Sequence, residues 1–183
     1  MIESDRLVLR VPEAADLAWQ IAELNSPAVM QHLGGPRDET AVAASFETNR
    51  AALLRGDYGF WTVTLRDTGK AIGKCGLALI EAPVAPTDLC GGVQVGWTLA
   101  ELHWGQGYAS EAAGAVLAHG FGALDLPVIW SQTSVSNHAS TRVMTRLGFE
   151  RCSTLDYIDP DYPPADNPTT VYRRIRKSWS EMG

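Results

Sequence analysis

One stretch constrains this chain more than any other. Val93-Gln94-Val95-Gly96-Trp97-Thr98-Leu99 reads as an apolar strand that runs out at Leu99. A loop, Trp104-Gly105-Gln106-Gly107-Tyr108-Ala109, follows, and an alanine-rich helix opens at once with Ser110-Glu111-Ala112-Ala113-Gly114-Ala115-Val116-Leu117. Strand, glycine loop and helix together present unpaired backbone N–H groups that suit a phosphate. Glycines serve there because a side chain would hold phosphate oxygens away from the backbone. The sequence therefore predicts a phosphorylated ligand bound at the middle of the chain.

Two familiar phosphate loops fit poorly. The dinucleotide fingerprint needs a third glycine where Ser110 stands, and its acidic residue closes the next strand. Asp125 has a suitable spacing but ends the helix instead. A P-loop needs Gly-Lys-Ser/Thr, which does not follow Gly105 or Gly107.

Composition narrows the class. With 183 residues, 45% hydrophobic and 20% charged, the chain suits one globular domain spanning 1–183. Its 15 Lys and Arg against 21 Asp and Glu give a net charge of -6, which argues against a nucleic-acid partner. Cys75, Cys90 and Cys152 are odd in number and widely spaced, as in a reducing compartment. None stands at zinc spacing with His32, His103, His119 or His138, so no metal is expected. The N-terminus carries Glu3 and Asp5, and no apolar run reaches membrane length. The expected setting is cytoplasmic, without a membrane partner, as a monomer or homodimer.

Along the chain, Arg6–Val11 reads as a first strand and 14–25 as a helix with Leu17, Ile21 and Leu24 on one face. Thr40–Arg55 is a second helix. Phe60–Leu65 and Ile72–Ile80 form a hairpin about a turn at 66–70, where Gly69 takes positive φ. Val128–Thr133, Phe149–Asp156 and Thr170–Arg176 read as further strands, with the proline-rich 159–168 as a loop. This order predicts an α+β fold with a mixed, mostly antiparallel sheet of about seven strands flanked by helices.

The strand Val128–Thr133 leads to Asn137-His138-Ala139-Ser140 and a helix ending in Leu147-Gly148-Phe149. With Trp104-Gly105-Gln106-Gly107-Tyr108-Ala109 upstream, the chain resembles the GNAT family of acyl-CoA N-acyltransferases. Ser4-Asp5-Arg6-Leu7-Val8-Leu9-Arg10 and Gly107-Tyr108-Ala109-Ser110-Glu111-Ala112 are closest in style to the ribosomal-protein alanine N-acetyltransferases. The resemblance implies acetyl-CoA as cosubstrate and a primary amine as acceptor, either a protein N-terminus or a small molecule. It also implies a gap between the strands on either side of the glycine loop, holding the pantetheine arm. Thr98, Leu99 and Ala100 would then hold the arm and polarise the thioester carbonyl. Gly105, Gln106, Gly107, Tyr108, Ala109 and Ser110 would hold the pyrophosphate, and Asn137 a pantetheine amide.

Trp104 departs from the family pattern, which has Arg or Gln there. It either packs under the loop or touches the cofactor. Between Glu101 and Glu150 the acids Glu101, Glu111, Asp125 and Glu150 face only Arg142 and Arg146, so the phosphate site is expected to rest on backbone dipoles. Glu111, in the first helical turn, reads as structural.

The chemistry needs a proton donor for the leaving thiolate and a base for the amine. Relatives place a tyrosine where this chain has Met144, so Ser140 is the candidate donor, with helix capping as its other reading. Glu101, just beyond the strand, is the candidate base, or else a solvated loop carboxylate. His32 and Trp61, with the loop 156–168, are candidates for shaping the acceptor pocket. A coenzyme A-binding sensor without catalysis stands as the alternative, kept open by Met144.

Overall fold

A computed structural model describes residues 1–81 and 83–180. Two N-terminal strands, β1 (Ile2–Glu3) and β2 (Leu7–Arg10), form a hairpin. Helix α1 (Asp16–Trp19) runs on into a π-helical turn at Gln20–Leu24, and α2 (Pro27–Met30) is one turn capped by Ser26. Helix α3 (Glu39–Arg55) starts at Asp38, whose carboxylate accepts the Ala41 N–H at 2.8 Å. The hairpin β3 (Phe60–Leu65) and β4 (Ala71–Leu79) is followed by β5 (Val93–Leu99). Helix α4 (Tyr108–Gly122), β6 (Val128–Ser134), α5 (His138–Arg146), β7 (Glu150–Arg151), β8 (Thr169–Ile175) and α6 (Arg176–Ser180) complete the order.

The strands form one eight-stranded sheet in the order β1-β2-β3-β4-β5-β6-β8-β7. Every pairing is antiparallel except β5 with β6. Two expectations shift. The opening strand has a two-residue partner, β1, that the pattern does not show. The strand expected over Phe149–Asp156 shrinks to Glu150–Arg151, because a 3₁₀ turn at Ser153–Leu155 bends the chain away from the ladder. Among the described residues no helix is long and apolar enough to cross a membrane.

Alternation along the strands gives the sheet two different faces. Leu7, Leu9, Val63, Cys75, Leu77 and Val95 point to one face, where Ala112, Ala113, Val116, Leu117 and Phe121 of α4 cover them. Those helix positions recur as a stripe of small and branched side chains, which lets α4 lie close on the sheet. Thr62 points to the opposite face and donates its hydroxyl to buried Asp16 at 3.1 Å, which fixes α1 there.

Asp16 is the polar anchor of that face. Arg10 grips it with two hydrogen bonds of 2.7 and 2.8 Å, and the Glu13 N–H adds a third at 2.8 Å. Burial alone would raise the Asp16 carboxyl, but Arg10, the Glu13 N–H and Thr62 outweigh it and hold it below the ordinary value. Asp16→Ala removes the two-pronged partner of Arg10, leaving it only Glu13 at 3.6 Å and the Val11 carbonyl, and is expected to cost about 3 kcal/mol. The melting temperature should fall by about 6–12 °C for a chain of this size. Because the folded-state value is depressed, this stabilisation is present above the unfolded-state value and lost as pH falls through the folded one. Thermal melts of both proteins across the acid range check the size and the sign.

Candidate active site

The parallel seam between β5 and β6 is barely closed. One residue pair, Gln94 with Trp130, is in register, and the Ser131 hydroxyl reaches the Val95 carbonyl at 3.2 Å just beyond it. From there towards Leu99 and Ser134 the strands part. The edge of β5 that faces the gap can be read from its bonds. Ala100 gives its N–H to Ile72 on the β4 side at 2.9 Å. Antiparallel pairing alternates, so Thr98 also faces β4, while Val95, Trp97 and Leu99 present their backbone to the gap. This corrects the expected trio. Leu99 keeps its position, whereas Thr98 and the Ala100 N–H bond to the β4 side, and the Ala100 carbonyl accepts the His103 N–H at 2.9 Å.

At the wide end of the gap stands the glycine loop. Gly105 and Gly107 have φ of 73° and 82°, the left-handed region that side chains avoid. The turn they make aims the start of α4 outward. Among the described residues, the N–H groups from Gly105 to Ser110 have no hydrogen-bond acceptor, and the first one satisfied is Glu111, on the Gly107 carbonyl at 3.1 Å. Six orphan donors in a row, at the positive end of a fifteen-residue helix, form a cradle for an anion. Trp104 does not point a donor into it. Its indole N–H is given to the Leu99 carbonyl at 2.8 Å, and the ring, half exposed, ties the loop to the end of β5.

A cation does reach the loop, from far away in sequence. The Arg6 guanidinium lies 4.5 Å from the Tyr108 ring centroid and donates to the Gln106 carbonyl at 3.1 Å. Its Nε holds Glu111 at 2.7 Å, while the Arg6 N–H and Ser4 hydroxyl bind the other carboxylate oxygen, each at 2.7 Å. Partial burial would raise the Glu111 carboxyl, but these three donors and the Arg6 charge hold it low. Glu111 therefore fastens α4 to the N-terminal hairpin, as its structural reading has it.

Helix α5 begins three residues beyond β6, at the mouth of the gap. Asn137 is its cap: the side-chain oxygen accepts the Ser140 N–H at 3.0 Å, leaving the amide NH₂ free among the described residues. Ser140 itself does not cap. Its hydroxyl is partly exposed and has no hydrogen-bond partner among the described residues. Met144 lies fully buried in the core, one turn further on.

Behind the gap, on the face away from α4, lies a cavity of about 310 Å³. Gln94 and Gln132 form its floor, joined across the seam by a 3.0 Å hydrogen bond, and Tyr157 donates to Gln132 at 2.8 Å. His32 lines one wall, while Tyr157, Asp159 and Tyr162 come from the C-terminal loop. Burial, with Asp159 close by, pushes both tyrosine hydroxyls up, so they stay protonated. The His32 ring is fixed from behind: its Nδ1 lies 2.9 Å from Asp166, and Ser134 and Ser136 complete the cluster.

The chain as a whole is similar to known proteins. Residues 6–150 match the model of the acetyltransferase (GNAT) domain. The chain belongs to the GNAT acetyltransferase family. It is 28% identical over 179 residues to the uncharacterized N-acetyltransferase YoaA of Bacillus subtilis (strain 168), covering 96% of this chain and 97% of that one. An acetyltransferase from Agrobacterium tumefaciens str. C58 superposes with a TM-score of 0.75 at 31% identity, over 94% of this chain and 92% of that one. RimL, the ribosomal L7/L12 alpha-N-protein acetyltransferase, solved with coenzyme A, shares the fold at 20% identity. Its TM-score is 0.74, over 94% of this chain and 95% of that one.

As a GNAT member the chain is an acyl-CoA-dependent acetyltransferase, and its remaining candidates sort by position. Trp61 leaves the acceptor-pocket set. It lies on the α4 face, 9% exposed, edge-on to His119 at 5.7 Å, so its ring is core material. Glu101 is exposed in a 3₁₀ turn after β5, where it accepts the Ser26 hydroxyl at 3.0 Å, and it does not line the cavity. Cys75 is fully buried and its thiol is pushed up by burial, which makes it unfit as a nucleophile. Arg6, Ser134, Ser136 and Asp166 escape sequence reasoning because each works through partners distant in the chain. Arg6 carries a partial signal in the opening Ser4–Arg10 pattern, and Asp166 in the loop 156–168.

Proposed function

We propose that this acetyltransferase moves an acetyl group from acetyl-CoA to a primary amine by direct attack in a ternary complex. The observation that carries the reading is the row of unpaired N–H groups from Gly105 to Ser110 at the end of an unpaired strand edge. Such a pair of features fits an anion joined to an extended, amide-bearing arm. The N–H groups would hold the pyrophosphate, and the edge of β5 beyond Val95, at Trp97 and Leu99, would pair with the arm as a further strand. The free amide NH₂ of Asn137 can donate to an arm carbonyl while its oxygen caps α5. A backbone N–H of that edge, further from the loop, would polarise the thioester carbonyl. A fixed donor of this kind lowers an acyl-transfer barrier by about 3–4 kcal/mol. Ser140 is the hydroxyl that can support the departing sulfur.

Acetyl-CoA is expected to raise the melting temperature, NAD and ATP much less. Free ligand at a hundred times its Kd stabilises a fold by about 2.7 kcal/mol. Equal shifts with NAD and acetyl-CoA overturn the assignment. Thiol release with pooled amines and peptides, followed by mass spectrometry of the products, then identifies the acceptor. Binding without release across the whole pool returns the reading to a coenzyme A sensor.

A further inference from the structure

The cavity behind the gap is lined by a histidine, and behind that ring stand a buried carboxylate and two serine hydroxyls that no role above uses. Asp166 is 7% exposed, and the Ser136 hydroxyl donates to its Oδ1. That hydrogen bond first, then His32, holds the Asp166 carboxyl below its ordinary range, so it is ionised at neutral pH. A carboxylate only accepts, which places the proton of the neutral His32 ring on Nδ1. Nε2 then carries a lone pair, with no partner among the described residues, on a side chain 23% exposed that lines the cavity. This is the arrangement of a base with an orienting group behind it. The other charged or titratable groups lining the cavity are Glu81, Tyr157, Asp159 and Tyr162, and none of its lining residues is Lys or Arg. Such a cavity favours a ligand that arrives positively charged.

We propose that His32, oriented by Asp166, is the general base of this enzyme, and that its acceptor is an alkylammonium entering beside Glu81 and Asp159. This rests on the acetyltransferase reading above. The ammonium gives one proton to Nε2 of His32 and becomes a neutral amine. Its nitrogen attacks the thioester carbonyl carbon. The C–N bond forms, the C–S bond breaks with its electron pair on sulfur, and the amine's second proton passes to that sulfur. His32 returns its proton to water, so one proton is released per amide formed.

Long-range ¹⁵N spectra of the protein alone test the orientation. The His32 signal should show the Nδ1–H tautomer in the wild type and lose that preference in Asp166→Asn. Kinetics test the role, with spermidine, a Ser-Ala-Ala peptide with a free N-terminus, and the same peptide N-acetylated. Spermidine alone turning over assigns a small polyamine, the free peptide alone assigns a protein N-terminus, and both support the alkylammonium class. Turnover of the N-acetylated peptide, or of none of the three, overturns it. On an accepted amine, His32→Gln should lower kcat/KM about 10–100-fold near pH 7, at the low end of base catalysis because water also deprotonates amines. It should also erase the acid limb of the pH profile. The acetyl-CoA thermal shift should persist in both variants. A wild-type protein that acetyl-CoA fails to stabilise defeats the acetyltransferase reading itself. A stabilised, active wild type whose pH profile survives His32→Gln, or loses its acid limb in Glu101→Gln, defeats only the base proposed here.

Discussion

Gly107→Glu is expected to abolish acetyl-CoA binding. Gly107 sits at the cap of α4 with φ of 82°, inside the row of unpaired N–H groups. A carboxylate there would compete for those donors and repel the pyrophosphate at short range. Arg6 cannot neutralise it cheaply, because Glu111 already holds that guanidinium. Losing two charge-assisted hydrogen bonds costs about 4 kcal/mol, on the order of a 1000-fold loss in affinity. Gly107→Ala separates charge from backbone strain. A Cβ meets nothing closer than the Arg6 Nη2 at 3.5 Å, so alanine adds only the left-handed penalty of about 1–2 kcal/mol. That variant should melt lower yet bind acetyl-CoA within about tenfold of wild type. Titration calorimetry on the two proteins checks both, and a glutamate variant that binds like the alanine one removes the pyrophosphate from this loop.

Ser140→Ala is expected to cut turnover by about 10–1000-fold, the range of a single positioned donor or acid. The structure sharpens what should not change. Asn137, and not Ser140, supplies the capping oxygen of α5, so the usual cost of about 1 kcal/mol for a lost cap should not appear. Melting temperature and acetyl-CoA affinity should therefore stay near wild type while kcat drops, because an interaction with sulfur strengthens only as charge forms on it. Asn137→Ala should show the complementary pattern, with lower stability and weaker acetyl-CoA binding. Unchanged kcat in Ser140→Ala would return the proton donor to bound water, or to Tyr157 or Tyr162 on the cavity wall.

The sequence speaks most clearly where local rules decide the structure. Phe60–Leu65 and Val93–Leu99 have the strand boundaries expected of them. The glycine loop is readable because positive φ and unpaired helical N–H groups are properties of a few adjacent residues. Helix α4 begins at Tyr108, two residues before the alanine run, since Gly107 already provides the cap. Legibility fails where a partner decides. Glu150 and Arg151 stay in the sheet, but Asp156 turns back to pair with Arg151 and to accept the Val171 N–H at 3.1 Å. That closure ends the expected strand early. The site shows the same division. Asn137, Ser140 and the loop lie within two short motifs, whereas Arg6 meets Glu111 across 105 residues and His32 meets Asp166 across 134. No spacing rule links residues so far apart. Trp61 misled for the opposite reason: an aromatic in a strand belongs equally to a pocket or a core, and only the face it takes separates the two.

The near-open seam between β5 and β6 has a mechanical consequence. It divides the sheet into two blocks, a meander of β1 to β5 and a smaller group of β6, β8 and β7. Covalent continuity runs through α4, but the backbone ladder that would make the blocks rigid is one pair long. A ligand lying in the gap, as proposed, would supply the missing rungs and join the two blocks into one plate. Each turnover would then remove part of the molecule's own framework along with the product.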